Sequence, residues 1–524
     1  MGTKTDSVIF ILTILTFYYI DVFMQRQDIN PVPPSRSIEW GEYNFLHTTD
    51  IHGWLAGHKK KSAPEPNGSG DWGDYASFVD HMRSKANDKG VELFVIDSGD
   101  LHDGSGLSDA VKPGDVNGHD TNNIISMLDI DMLTIGNHGL YNPDVTLDIY
   151  KNFTTKWSKR YLTSNTNITD PDTNESVSIG ERYLKHVTKS GRKFTAFGIL
   201  FNFPNSNWRA HVQPIEEMVK EAWFDEATDE APEFFLIIAH MAINDSSWNV
   251  VLEKLKQKHP LVPIISFGGH QHVRDCVFNY DDGRDVRMAS GRFLETVGWM
   301  GVNISSDGEL EVSRKYLDAN PVGYAWHLDI DKSKLVTHLG KKIKEELMKL
   351  WNKLGLGQII GKIDRDLYQS RVPATHPDSL TYWMKHEVLP SIKNPSREYE
   401  GVPRLILMNS GAIRFDLYKG MVNKNDVFTA FPFSNSLPFV KDVPFRIAKK
   451  MLVTLNNLPE NPFLSSTNEL KSLSIGYKTD DTCPGVGDDV AHARLEYYDQ
   501  PALFSTELDS LEDEDLVDVV FISL

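Results

Sequence analysis

The sequence of 524 residues predicts an α/β protein of two domains, and three observations carry that reading. Short apolar runs bounded by glycine or aspartate recur at 43–46, 93–96, 132–135, 234–239 and 264–267, as strands buried on both faces do. Helix-like stretches such as 75–85 and 122–128 alternate with them, and that alternation builds layered α/β domains. An amphipathic segment at 332–354 carries Leu335, Leu339, Ile343, Leu347 and Trp351 at four-residue spacing, and it separates this block from a second one of different character.

In chain order, Lys4 precedes the apolar run 8–20, which Asp21 closes. A bilayer span needs about 20 such residues, so 1–25 reads as a signal peptide or signal anchor. Six N-x-S/T sequons, at Asn67, Asn152, Asn167, Asn174, Asn244 and Asn303, agree with a route through the secretory pathway to the extracellular space, the cell surface or the vacuolar lumen. Membrane contact is expected only through that anchor. Three prolines and no periodicity make 26–40 a linker. The first domain runs from 41 to 325 and closes on strands at 286–289, 299–304 and 310–317. A connecting helix spans 326–355, and a second α/β domain fills 356–524. Within it, the acidic run 509–518 reads as a solvated loop and 519–524 as strand-like.

Lys and Arg number 54 against 73 Asp and Glu, a formal charge of −19. That excludes a general nucleic-acid binder, which needs a basic face. It leaves a small anion open, because bound cations reverse the local sign. Cys276 and Cys483 exclude a disulfide-rich scaffold and a cysteine zinc finger; one bridge between them stays open.

Each early strand ends in potential metal ligands: Asp50-x-His52, Asp100, Asn137-His138, His240 and His270-x-His272. Such side chains cost free energy when buried without partners, so five clusters at five strand ends are not packing. Two divalent metals about 3.5–4 Å apart need several nitrogen and oxygen ligands and a bridging carboxylate. Imidazole with carboxylate suits zinc, manganese or iron better than calcium.

D-x-H, G-D, G-N-H, a strand-end His and G-H-x-H, in this order, resemble the calcineurin-like metallophosphoesterases. NSGAIRFDLYKG at 409–420 with DVFTAFPFSN at 426–435 resembles the C-terminal domain of the 5′-nucleotidase family, and GDLHDGSGLSD at 99–109 is similar to its fungal secreted or vacuolar branch. The resemblance implies a four-layer α-β-β-α sandwich followed by a smaller substrate domain. It also implies two divalent metals that hydrolyse a phosphomonoester, a nucleotide first, by in-line attack of a metal-bound hydroxide. Asp50, His52 and His272 would hold one metal, Asn137, His240 and His270 the other, and Asp100 would bridge them. His138 would touch the phosphoryl group and stabilise charge on the leaving oxygen. Arg414 would meet the substrate's anionic part, Phe433 would stack on a base, and Asn409 would lie nearby. The alternatives are a broad-specificity phosphatase, a hydrolase of nucleotide diphosphates or cyclic phosphodiesters, and a metal-retaining binding protein.

The sequence departs from the family at two places. The family has an acidic residue directly after G-N-H and, in nucleotidases, an aspartate three residues past the histidine; here these are Gly139 and Tyr141. His138 thus needs another partner, with Asp103, His102 and Asp144 as candidates. The motif that supplies a second base-stacking aromatic is absent, and only GVGDD at 485–489 stands nearby. His47, His58, His81, His119 and His186 read as core or surface histidines, and Asp97 as a hydrogen-bond partner behind the ligands. GDWGD at 70–74 lacks the spacing of a dinucleotide site.

Overall fold

The computed structural model describes residues 31–392, 402–433, 436–457, 477, 479–508 and 510–522. The targeting segment expected at 1–25 lies outside them. Among the described residues no helix is long and apolar enough to cross a membrane.

The first domain is built on two six-stranded sheets. One runs Leu310–Asp318, Thr296–Ile304, β1 (Tyr43–Thr48), β2 (Glu92–Asp97), β3 (Met132–Thr134), β4 (Tyr161–Leu162), with β1 to β4 parallel. The other runs Arg274–Phe278, Asp285–Ser290, Ile264–Gly268, Phe234–His240, Lys193–Leu200, Tyr183–Val187, and its four central strands are parallel. Side-chain alternation sets the layers. Tyr43, Phe45, Phe94 and Ile96 point inward and form one core with Phe234, Leu236, Ile238, Ile265 and Phe267 of the facing sheet. Leu46, Val95 and Leu133 point outward, beneath helices Trp72–Lys89 and His338–Leu354. On the far side Phe235 and Ile237 meet Trp248, Val251 and Leu255 of helix Ser247–Lys258. The result is the helix–sheet–sheet–helix sandwich.

The stretch 70–74 starts a helix: the Asp71 side chain accepts from the Asp74 N–H and Asp74 accepts from that of Asp71, a capping box. Helix His338–Leu354 begins at Thr337, whose hydroxyl accepts from the Gly340 N–H at 3.2 Å, and buries Ile343, Leu347 and Leu350. A separate helix, Pro321–Leu328, precedes it, so the connector is two helices, and the longer one packs on the first domain.

In the second domain Arg404–Asn409 pairs in parallel with Leu516–Ile522, flanked by antiparallel Leu503–Ser505 and Phe439–Pro444. The solvated acidic loop therefore ends earlier than expected. Leu516 opens a strand whose Val517, Asp518 and Val519 are buried.

Residues 479–494 cross back onto the first domain. Cys483 forms a disulfide with Cys276, closing a sequence separation of 207 residues. Around it Arg314 pairs with Asp481, the Tyr316 N–H donates to the Gly487 carbonyl at 2.8 Å, and His327 and His492 meet Asp489 and Asp318 at 2.8 and 3.0 Å. Replacing both cysteines by alanine should cost about 2–4 kcal/mol and lower the melting temperature by several degrees. Calorimetry checks this, and an unchanged transition contradicts it.

His47 on β1 is buried, with Nδ1 2.6 Å from Ser290 Oγ and Nε2 2.7 Å from Ser98 Oγ, and burial pushes its pKa down to about 3. The unfolded chain takes up that proton near pH 6.5. The contribution of His47 is therefore complete above about pH 6.5 and is lost as pH falls toward 3. His47→Gln should be less stable than the wild type at pH 7, with the gap narrowing by pH 4.5 in urea titrations. A gap independent of pH contradicts this.

Candidate metal centre

Every residue of the cluster sits at the carboxyl end of a strand. Asp50 and His52 follow β1, Asp100 follows β2, Asn137 and His138 follow β3, His240 ends Phe234–His240, and His270 and His272 follow Ile264–Gly268. Parallel strands in both sheets bring these ends to one rim, the usual place for sites in open α/β sheets. Asp50, His52, Asp100, Asp103, His270 and His272 all have φ between 47° and 74°. A non-glycine residue costs about 1–2 kcal/mol there, so the loops hold strained turns that aim side chains inward. Gly136 is required by space: a Cβ would stand 2.0 Å from Asp100 Oδ1.

Three groups of ligand atoms converge: Asp50, His52 and His272; Asp100, His240 and His270; and His52, Asp100 and His138. Asp100 Oδ2 lies 2.9 Å from His240 Nε2, 3.9 Å from His52 Nε2 and 4.0 Å from His138 Nε2. Asp50 Oδ1 lies 3.4 Å from His272 Nε2 and 3.9 Å from His240 Nε2. The Nδ1–H of His52 donates to the carbonyls of His102 and Asp103 at 2.9 and 3.1 Å, and that of His240 to the Ser98 carbonyl at 2.8 Å. Each ring therefore turns its Nε2 inward. Nε2 of His52 and Nε2 of His272 face each other at 3.0 Å. The Asn137 amide donates to Tyr141 Oη at 3.1 Å, while Asn137 Oδ1 is buried with no hydrogen-bond partner.

The electrostatics ask for positive charge. Burial alone would raise the Asp100 carboxyl, but His240, His138 and His52 hold it well below the usual range. Burial would lower His240, but Asp100 and Asp50 push it up to about 9. Burial, reinforced by neighbouring cations, holds His52 and His272 well below ordinary histidines. A cation between Asp50 and Asp100 would satisfy the carboxylates, the inward-facing imidazole nitrogens and the orphan amide oxygen together, so the donor set fits divalent metal.

Asp97 stays behind this rim, accepting from Thr48 Oγ1 at 2.7 Å and from the Gly99 N–H at 2.8 Å. His138 Nδ1 meets Asp103 Oδ2 at 3.0 Å. Asp144 instead lies exposed at the start of helix Pro143–Asp148. From the second domain Arg414 reaches the cluster: Asp100 and Asp50 act on its guanidinium, and its charge helps lower His272. Phe433 lies 5.7 Å from that guanidinium, with its ring 6.1 Å from His138 and nearly parallel to it. Asn409 Oδ1 accepts the Gly411 N–H at 2.7 Å and closes the turn that leads to Arg414.

Sequence reasoning missed Arg292. It lies 4.6 Å over Phe293 and 5.6 Å from Phe415, and with Arg414 it lowers His272. The available signal was the Arg-Phe pair after strand Asp285–Ser290, the same pair as Arg414-Phe415.

Residues 43–274 match the calcineurin-like phosphoesterase family, and residues 366–472 and 459–524 match the C-terminal domain of NAD nucleotidase. A protein of Arthroderma benhamiae named a secreted protein is 35% identical over 89% of this chain and 75% of its own length. An uncharacterized protein of Schizosaccharomyces pombe is 31% identical over 100% of this chain and 90% of its own. The crystal structure of a 5′-nucleotidase from Candida albicans superposes with a TM-score of 0.86 at 31% identity, covering 94% of this chain and 92% of that one. A 5′-nucleotidase precursor from Thermus thermophilus, at a TM-score of 0.60 and 16% identity, shares the fold. Fold, rim of ligands and relatives agree: the chain belongs to the calcineurin-like phosphoesterases, as a two-domain phosphoester hydrolase with a 5′-nucleotidase-type C-terminal domain.

Proposed function

We propose that this chain hydrolyses phosphomonoesters, nucleotides first, at a two-metal centre. The observation that carries this is the pair of ligand triads, Asp50–His52–His272 and Asp100–His240–His270, with Asp100 Oδ2 within 3.9 Å of imidazoles of both. Asp100 would serve both ions, and Asn137 would add its orphan oxygen on the His240 side. A bound pair of zinc, manganese or iron ions supplies an activated water and neutralises phosphoryl oxygens. The chain's residues do the rest. His138 sets Nε2 beside Asp100, where it stabilises charge on the departing oxygen. Arg414 closes over the site as a fixed guanidinium for the substrate's anionic part, and Phe433 offers a ring face to a base.

A nucleotide is favoured because the Candida albicans relative carries the name 5′-nucleotidase and matches both domains. A small anionic substrate suits a chain of charge −19, because bound metals together with Arg414 and Arg292 would reverse the sign locally. A secretory destination is supported by the apolar segment 8–20, the sequons, and the name of the Arthroderma benhamiae relative.

Metal analysis of purified wild type should give two divalent ions per chain, and Asp100→Asn should lose that stoichiometry; two retained ions contradict the bridge. On a panel of AMP, a UDP-sugar, a cyclic nucleotide and an aryl phosphate, AMP should have the highest kcat/KM. Aryl phosphate far ahead of AMP would point to a broad phosphatase, and two ions with no turnover to a binding protein. Arg414→Ala should raise KM for AMP about tenfold or more, as removal of a charged hydrogen-bond donor does. An unchanged KM contradicts its role.

A further inference from the structure

The loop after β2 carries a carboxylate with a second task. We propose that Asp103, held from its far side by His102, is the positioning residue of His138, the part that Gly139 and Tyr141 cannot play. The inference rests on the phosphoesterase reading of the site and adds a residue to it.

The His138 ring spans the gap between Asp103 and the metal cluster. Its Nδ1 is 3.0 Å from Asp103 Oδ2 and its Nε2 is 4.0 Å from Asp100 Oδ2. A carboxylate on Nδ1 keeps the proton there and fixes the plane of the ring, so that Nε2 faces the reacting group. The other oxygen of Asp103, Oδ1, lies 3.1 Å from His102 Nδ1, and that ring is only 3% exposed. The carboxylate thus lies between two imidazoles, hydrogen-bonded to His138 and within ion-pair distance of His102. Its own backbone is in the left-handed region, with φ 67°. The carbonyls of His102 and Asp103 meanwhile orient His52. One short loop therefore holds the bridging ligand Asp100, fixes the ring of His52 and holds the partner of His138.

The nearer positions are otherwise committed. Tyr141 Oη accepts from the Asn137 amide and turns Asn137 Oδ1 inward. Gly139 offers no side chain, and a Cβ there would press on Ile135 and Ile149 at 3.0 Å. Asp144 is exposed on its helix.

The test compares wild type, Asp103→Asn and, as a control, Asp144→Asn, on AMP and on p-nitrophenyl phosphate, with metal content measured for each. An alkoxide leaving group needs stabilisation by His138 far more than an aryl oxide does. Asp103→Asn should keep its metals and lower kcat on AMP about 30- to 100-fold, as loss of a supporting carboxylate does, with KM within about threefold. On the aryl phosphate the fall should be under about fivefold, and Asp144→Asn should match wild type. An equal fall on both substrates, a loss of metal, or no fall overturns the proposal. A readout independent of turnover separates it from the functional reading. In histidine-labelled full-length protein, the hydrogen-bonded Nδ1 proton assigned to His138 by its loss in His138→Asn should also vanish in Asp103→Asn. If the wild type cleaves no phosphoester the functional reading falls, and this resonance still decides: its persistence in Asp103→Asn overturns the role of Asp103.

Discussion

Asp50 and Asp100 place two carboxylates where water is excluded, both at most 3% exposed. Burying a charge costs several kcal/mol unless a partner compensates it. The local answer is a shell of imidazoles, of which His52 and His240 tie Nδ1 to backbone carbonyls and turn Nε2 toward the carboxylates. Such a shell is itself unsatisfied, since Asn137 Oδ1 is buried beside it with no hydrogen-bond partner. A divalent cation resolves both deficits. The strained turns, the glycine beside Asp100 and the gathering of strand ends at one rim serve to hold this electrostatic arrangement before any ligand arrives.

The sandwich supplies the rigidity that this demands. Two sheets share one aromatic and aliphatic core, so the rim cannot shift without moving Phe45, Phe234 and Phe267 together. The second domain is then bound to the first in two places. On the side of the ligand rim, Lys60 meets Asp426 at 2.6 Å, the Gly106 N–H donates to Asn425 Oδ1 at 3.0 Å, and Phe415 packs on Trp54 and Phe293. On the opposite flank the disulfide and the ion pairs of 479–494 form a strap. Arg414 and Phe433 reach the cluster within this doubly anchored arrangement.

Much of this was legible in the sequence, for a physical reason. Continuous apolar runs followed at once by Asp, His or Asn are expensive unless a cation gathers them, so the ligands declared themselves along with the strands that carry them. Helix 338–354 was legible by its four-residue spacing, and its capping by Thr337 and Gly355 trimmed the expected start at 332. What was not legible depends on contacts between distant residues. Asp103 could be named as a partner for His138 only as one of three candidates, because proximity across two loops leaves no periodic trace. The pairing of Cys276 with Cys483 depends on a strap whose docking is tertiary. Arg292 is placed by Phe415 of the second domain, again a contact between distant residues. The stretch 70–74 lacks the spacing of a dinucleotide site, and its Asp71-x-x-Asp74 pattern is a helix cap.

The proposed pair of metal ions is enclosed by buried carboxylates and imidazoles from five strand ends. Anomalous diffraction from crystals grown with zinc or manganese measures it most directly. The account predicts two peaks about 3.5–4 Å apart, with Asp100 between them, Asp50, His52 and His272 around one, and Asn137, His240 and His270 around the other. A single peak, or two peaks with Asp100 touching neither, would contradict it.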